Sequence, residues 1–122
     1  MRLALIHTRY DRRNVRVVTH QVLKQPRSAE RISLAVGDTL EIRLQQRGGT
    51  GYLWSVGKPS ALLTLTDDRV DLDSSAMGAA ATRVLVFETA SAGEGRLRLE
   101  LGRAWESSPI ELLDLPVTVS AA

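Results

Sequence analysis

Apolar and polar residues alternate with a period of two through much of the chain. Ile, Leu and Val occupy every second position in residues 32–36 and again in 40–44, and Gly37 with Asp38 stands between the two runs. Alternating segments joined by a short turn are typical of a β-hairpin with one face buried and the other in water. Residues 96–101 alternate most regularly, with Leu at every second position and charged residues between. The pattern therefore predicts strands that each turn one side to a core.

Further strands are predicted from shorter runs, and no segment shows a helical period with caps. Residues 83–88 are apolar on both faces, which favours a central strand. The last predicted strand contains Pro116, which has no amide hydrogen, so this strand is expected to lie at a sheet edge or to begin there. The ranges of these further strands are 14–23, 52–56, 63–65, 70–72, 83–88 and 115–119.

Seven or eight short strands separated by Gly, Pro and Ser predict an all-β fold, an immunoglobulin-like β-sandwich with mostly antiparallel strands. A chain of 122 residues suits one domain. Its charge is uneven, because residues 1–31 hold eight Arg and Lys against two acidic residues, whereas residues 32–122 hold eight against twelve. We therefore expect residues 1–31 to form a basic N-terminal extension, able to add one strand, and residues 32–122 to form the domain itself.

No catalytic or metal centre is indicated by the residue types present. The chain has no Cys, and its two His residues lack a partner at metal-ligand spacing. It has no Gly-x-Ser-x-Gly motif, although a Ser-His-Asp set brought together only by folding stays open. The Gly-Gly-Thr-Gly run at 48–51 lacks the Lys of a phosphate loop, and the Asp residues between 67 and 73 do not follow the order of calcium ligands. We expect a protein that is not an enzyme and that needs no cofactor or metal.

Binding to nucleic acid or to a membrane has weak support. Four arginines (Arg47, Arg96, Arg98 and Arg103) could form a basic patch, but two Trp, two Tyr and one Phe offer little surface for stacking on bases. No segment approaches the ~18 apolar residues that span a membrane. Residues 1–6 are too short for the core of a signal peptide. The sequence leaves the compartment open: periplasmic or secreted if a leader was removed, and otherwise cytoplasmic.

Three loops interrupt the alternation, at residues 45–51, 73–81 and 102–109. Short loops that strands hold at both ends lose little entropy when they bind a partner. Trp105 is a large apolar residue among Arg, Glu and Ser, which makes it a candidate anchor for another protein. The alternative for Trp105 is a core residue or a residue that packs at the edge of the core.

The first of these loops resembles the first signature of the chagasin family of cysteine-protease inhibitors. That signature reads Asn-Pro-Thr-Thr-Gly, then an aromatic residue, any residue, and Trp. Within residues 47–54, Thr50, Gly51, Tyr52 and Trp54 match it. The positions that depart from it are Arg47, Gly48 and Gly49.

The other two loops resemble the second and third signatures of the same family, in the same order. In the Gly-rich second signature, at residues 78–82, Gly78 is kept, whereas Ala79 and Ala80 replace glycine. The third signature, Arg-Pro-Trp, corresponds to Arg103, Ala104 and Trp105, with Ala in place of Pro. The resemblance covers about residues 32–120 and leaves residues 1–31 unexplained.

The resemblance implies a reversible, competitive inhibitor that wedges three loops into the active-site cleft of a papain-like cysteine protease. It implies that Arg103 braces its loop and that Trp105 packs on the primed side of the cleft. The expected form is a monomer, with a dimer through the N-terminal extension as the alternative. The departures predict weaker or differently selective inhibition, and a non-inhibitory immunoglobulin-like binding module is the alternative function. The implied contact residues are Arg47, Gly48, Gly49, Thr50, Gly51, Tyr52, Met77, Gly78, Ala79, Ala80, Arg103, Ala104 and Trp105.

Overall fold

The computed structural model describes residues 4–10, 17–47, 50–72 and 80–121, and these residues contain nine β-strands. In the described ranges no helix is long and apolar enough to cross a bilayer. The strands are β1 (Ala4–Tyr10), β2 (Val17–Lys24), β3 (Ile32–Ala35), β4 (Thr39–Arg47), β5 (Leu53–Lys58), β6 (Leu63–Leu72), β7 (Ala80–Thr89), β8 (Gly93–Gly102) and β9 (Glu111–Ser120).

The strands form two sheets that pack into a sandwich. One sheet has the order β1-β2-β4-β7-β6, and the other has the order β3-β9-β8-β5. Two neighbouring pairs are parallel, β2 with β4 and β3 with β9, and the other five pairs between described strands are antiparallel. The predicted β-sandwich of mostly antiparallel strands is confirmed, with β1 added to the eight strands from β2 to β9.

The core lies between the sheets and consists of the inward positions that the period-two pattern identified. Leu40, Ile42 and Leu44 on β4 are fully buried, as are Leu97 and Leu99 on β8. Burying a Leu or Ile side chain of this kind contributes about 1.5–3 kcal/mol, so this layer provides much of the stability of the fold. The other members of the cluster are Leu23, Ile32, Leu34, Trp54, Leu62, Leu63, Leu85, Phe87, Leu113, Leu115, Val117 and Val119.

The predicted hairpin of residues 32–44 is wrong, although its turn is present. Strand β3 pairs with β9 in one sheet, and β4 pairs with β2 and β7 in the other. Asp38 holds the crossing, because its carboxylate accepts hydrogen bonds from the amide N–H groups of Ala35 (2.8 Å) and Thr19 (3.0 Å). The chain therefore changes sheets at this turn instead of folding back on itself.

The prediction of two short strands at residues 63–65 and 70–72 needs correction, whereas the prediction of a central strand at 83–88 is confirmed. The two short strands expected near residues 63–65 and 70–72 are one strand, β6, with a register shift between Leu65 and Asp67. The extra residue of such a bulge reverses which positions face the core, and this interrupts the alternation in the sequence. The central strand expected at 83–88 is confirmed, because β7 has a neighbour on each side.

Pro116 lies in the middle of β9, which also has a neighbour on each side, so the expectation of an edge strand or strand start is wrong. The backbone of Asp114 points towards residues 28 and 29, since its amide N–H donates to Ser28 Oγ and its carbonyl accepts from the N–H of Ala29. Residues two apart in a strand direct their backbone groups to the same side. The missing amide of Pro116 therefore faces the start of β3, where Ile32 first pairs with Val117.

Residues 1–31 contribute β1 and β2 to the larger sheet. Strand β2 lies beside β4, and Leu23 packs into the core while Val22 is buried on the opposite face. Strand β1 then pairs along β2 and forms the edge of the sheet. The part of this region that includes β2 is therefore integrated with the sandwich.

Salt bridges cross the outer face of the larger sheet. Arg43 binds Glu41 (2.8 Å) and Asp71 (3.1 Å), and Arg69 binds Asp71 (3.3 Å) and Asp67 (2.6 Å). The hydrogen bond to Glu41 and then that to Asp71 raise the pKa of Arg43 above its usual value, against the opposing effect of burial. Asp67 and Asp71 are thus paired with arginine while they remain on a solvent-exposed face of the sheet.

Candidate functional site

The loops that broke the sequence pattern leave the sandwich at one end, which we call the loop end. The first loop (48–52) joins β4 to β5, the second (73–79) joins β6 to β7, and the third (103–110) joins β8 to β9. The last residue of β4 pairs with the first of β7, and the first residue of β5 pairs with the last of β8. Both sheets thus bring their loop-bearing strand ends to the same place.

Trp54 fixes the base of the first loop. It is 1% exposed and therefore belongs to the core. Its indole Nε1–H donates to the carbonyl of Gln45 (2.9 Å), and its amide N–H donates to Oε1 of Gln46 (2.9 Å). Strands β4 and β5 belong to different sheets, so these two bonds hold the two ends of the loop together.

Arg103 connects the third loop to the first. Its Nε–H donates to the carbonyl of Thr50 (3.0 Å), and its guanidinium lies 3.9 Å from the centre of the Tyr52 ring. A second nitrogen forms an ion pair with Glu106 (3.3 Å) within the third loop. A planar guanidinium can make all these contacts at once, which a lysine ammonium cannot. The two loops therefore form one unit held together by Arg103.

Trp105 stands over Gly51 and leaves most of its ring in solvent. The side chain is 71% exposed, so it is not a core residue. A Cβ atom added at Gly51 would overlap the indole ring, of which two further carbons lie 3.2 Å from that position. Gly51 also has φ of +80°, a left-handed conformation that favours glycine. Gly51 is thus required both by its own backbone and by the ring above it.

The third loop turns tightly around Ala104, which is exposed. The amide N–H of Glu106 donates to the carbonyl of Arg103 (3.1 Å), and the amide of Ile110 donates to the carbonyl of Leu101 (2.8 Å). These bonds fix the loop at its turn and at its return to β9. Trp105 is therefore held at the tip of a short, closed loop.

The structure brings together five of the predicted contact residues: Thr50, Gly51, Tyr52, Arg103 and Trp105. Ala104 lies between the last two, and Arg47 and Ala80 are paired at the ends of β4 and β7. The remaining predicted residues, Gly48, Gly49, Met77, Gly78 and Ala79, lie outside the described residues.

Two residues of this site were missed by the sequence analysis. Gln46 is buried and holds the amide of Trp54, and Glu106 binds Arg103. Gln46 had a readable signal, because it continues the inward positions 40, 42 and 44 of β4 as a polar residue that must find a partner. Glu106 had no such signal, since its role depends on a contact across the loop turn.

The chemistry of the site is that of a binding surface. It presents a narrow backbone at Thr50 and Gly51 beside one exposed aromatic ring. Its charged groups, Arg103 and Glu106, are already paired with each other. Across the part of the chain that the structure describes, no group of three or more His, Asp or Glu residues could hold a metal ion.

Residues 33–119 match the family model described as chagasin family peptidase inhibitor I42. In a comparison with curated protein sequences, no protein matched significantly.

Solved structures with the same fold are similar over about four fifths of this chain. The crystal structure of EhICP2, a cysteine protease inhibitor from Entamoeba histolytica, has a TM-score of 0.72 at 21% identity, covering 82% of this chain and 95% of that one. The solution structure of amebosin has a TM-score of 0.68 at 25% identity, covering 81% and 96%. PbICP-C, solved in complex with falcipain-2, has a TM-score of 0.55 at 18% identity, covering 83% and 98%.

Proposed function

Because this chain belongs to the chagasin family of peptidase inhibitors, we propose that it is a reversible, competitive inhibitor of papain-like cysteine proteases. The loop end enters the active-site cleft and blocks it. The observation that carries this proposal is the unit of two loops held by Arg103, which exposes Trp105 beside the slim backbone of Thr50 and Gly51. EhICP2 is described as a cysteine protease inhibitor, and PbICP-C was solved bound to falcipain-2.

The first loop approaches the catalytic thiol of the protease. Gly51 has no side chain, and Thr50 offers a carbonyl already fixed by Arg103, so the backbone can come close to a buried group. Trp54 and Gln46 hold the base of the loop, and a peptide held in this way gains little freedom when it is cut. The loop therefore binds as a substrate would but resists release as a product.

Trp105 is the anchor on one side of the cleft. A ring that is 71% exposed gains most of its burial only when a partner covers it. Trp is among the residues that most often dominate binding energy in interfaces. The second loop, with Met77, Gly78, Ala79 and Ala80, contacts the opposite side, and the whole wedge buries about 1,600 Å² in total, the usual size for protease–inhibitor pairs.

The departures from the family signatures make this inhibitor weaker than one that carries all of them. Gly48 stands where the family has Pro, so the free first loop samples more conformations that must be lost on binding, at about 1 kcal/mol per residue. Ala104 replaces the Pro of the third signature and has the same effect there. We propose that the protein inhibits as a monomer.

The test is a titration of papain and of a cathepsin L-type protease with the wild-type protein, Trp105→Ala and Leu65→Ala. Leu65 is a matched control, because it is an exposed apolar residue (41%) on β6, away from the third loop. We expect inhibition that competes with substrate, a Ki raised at least tenfold by Trp105→Ala, and no change for Leu65→Ala. Absence of inhibition of both proteases at ~10 μM protein rejects the proposal, since inhibitors of this kind bind far more tightly.

A further inference from the structure

Beyond the loop tips, exposed apolar residues gather on the outer face of the smaller sheet, next to the loop end. Leu53 on β5 is 52% exposed, Ile110 just before β9 is 58% exposed, and Leu112 on β9 is 47% exposed. Leu53 pairs with Gly102, and Leu112 pairs with Glu100, so the side chains flank the last residues of β8. With strands about 4.8 Å apart and about 3.3 Å per residue along a strand, they lie within about 12 Å of one another. We call Leu53, Ile110, Leu112 and Glu100 the wall patch.

A cavity of about 300 Å³ lies beside these residues, between the third loop and the outer face of β5 and β8. Leu53, Glu100 and Pro109 line it, together with Ser107 and Ser108. Glu100 reaches along the sheet because Gly57 leaves room for it, since a Cβ at Gly57 would overlap the Glu100 side chain. Within the described ranges, Glu100 forms no ion pair, whereas Glu106 at the cavity rim is bound to Arg103.

We infer that the wall patch extends the protease contact from the loop tips down one side of the wedge. It docks against a cleft wall that presents an apolar side chain next to a Lys or Arg. This inference rests on the proposed function and names the chemistry of the surface that the inhibitor meets. Leu53 stands at the unspecified position of the first signature, and the three signatures do not include Glu100, Ile110 or Leu112.

Continuity with the tips supports this occupant. Leu53 follows Tyr52 of the first loop directly, and Ile110 is the last residue of the third loop. At 3.3 Å per residue, Leu112 lies only about 7 Å below Ile110. When the loops are fully inserted into the cleft, the wall patch directly behind them therefore lies against the rim of the cleft.

The charge of the wall patch favours a protease over a second copy of this chain as its partner. A symmetric dimer joins the same patch on both molecules, so it would bring the Glu100 side chains of the two copies to one interface. Two like charges facing each other without a partner oppose association. A basic group on the protease removes this cost and gives the carboxylate a partner.

The experiment compares Ki values for papain and a cathepsin L-type protease among the wild type, Leu112→Ser, Ile110→Ser, Glu100→Gln and the control Leu65→Ser. We expect each of the two apolar changes to raise Ki about tenfold for at least one of the proteases, and the control to leave it unchanged. Glu100→Gln should raise Ki about threefold at low ionic strength, with the difference from wild type disappearing at 0.5 M NaCl because salt screens the pair.

The possible failures are distinguishable. If Trp105→Ala weakens inhibition while the wall-patch variants stay within twofold of wild type for both proteases, the wall patch is overturned and the proposed function stands. If Leu112→Ser changes only the oligomeric state in gel filtration and not Ki, the patch is a self-contact and the inference is overturned. If wild-type protein inhibits neither protease, the proposed function fails and the wall patch with it.

Discussion

Replacing Gly51 with Ala tests how the first and third loops are built. Gly51 has φ of +80° and lies directly beneath the ring of Trp105. An Ala at this position meets two separate obstacles, one from its own backbone and one from the ring. The free energy of unfolding can separate them, because only the second obstacle depends on Trp105.

The magnitudes follow from the two contacts. A residue with a Cβ in the left-handed conformation costs about 1–2 kcal/mol. The added methyl also forces the indole aside, and because the ring is 71% exposed this loses only part of its packing, about 1 kcal/mol. Gly51→Ala should therefore lower the free energy of unfolding by about 2–3 kcal/mol in the wild type, and by about 1–2 kcal/mol in a Trp105→Ala background.

Urea unfolding of the wild type, the two single variants and the double variant gives this coupling without any protease. The same four proteins titrated against papain give the second cycle, in which Gly51→Ala should raise Ki at least tenfold in the wild type. The effect on Ki should be much smaller once Trp105 is absent, because the displaced anchor is already lost. Additive stability effects, with a coupling below about 0.3 kcal/mol, would refute the stacking of Trp105 on Gly51.

Two further variants test how the loops and the N-terminal strands are held. Arg103→Lys keeps the charge but loses the forked contacts to Thr50 and Tyr52, so we expect it to raise Ki at least tenfold while lowering unfolding free energy by about 1–2 kcal/mol, as read by inhibition assays and urea unfolding. An unchanged Ki contradicts a role for Arg103 in positioning the first loop. Deleting residues 1–24 removes β1 and β2 with the buried side chains of Val22 and Leu23 and should cost about 4 kcal/mol or more, lowering Tm by over 15 °C or unfolding the chain. Deletion of residues 1–3 is the control, and a Tm within about 5 °C of wild type after the larger deletion contradicts an integral role for β2.

Much of the site could be predicted because its residues carry their own chemical signal. A Trp among charged residues predicted an anchor, and Trp105 is exposed at a loop tip as that role needs. Gln46 was readable in principle as a polar residue on the inward face of β4. The bond from Arg103 to the carbonyl of Thr50 was not, since the two residues are 53 positions apart and no local pattern connects them. The wall patch could not be predicted either, because only the pairing of the strands shows that Leu53 and Leu112 lie on the same outer face of a sheet.

The sequence by itself determined that the protein is built from strands, which positions of most strands face a core, and which family signatures its loops resemble in order. Side chains alternate across a strand whatever its neighbour is, so a period of two is visible in a single chain. Only the tertiary structure decided which strands are neighbours. It separated β3 from β4 across the turn at Asp38, joined residues 63–72 through a bulge, and placed Pro116 inside a sheet opposite the start of β3. Pairing depends on hydrogen bonds between residues far apart in the chain, and the local pattern of apolar residues is the same for every strand that could form them.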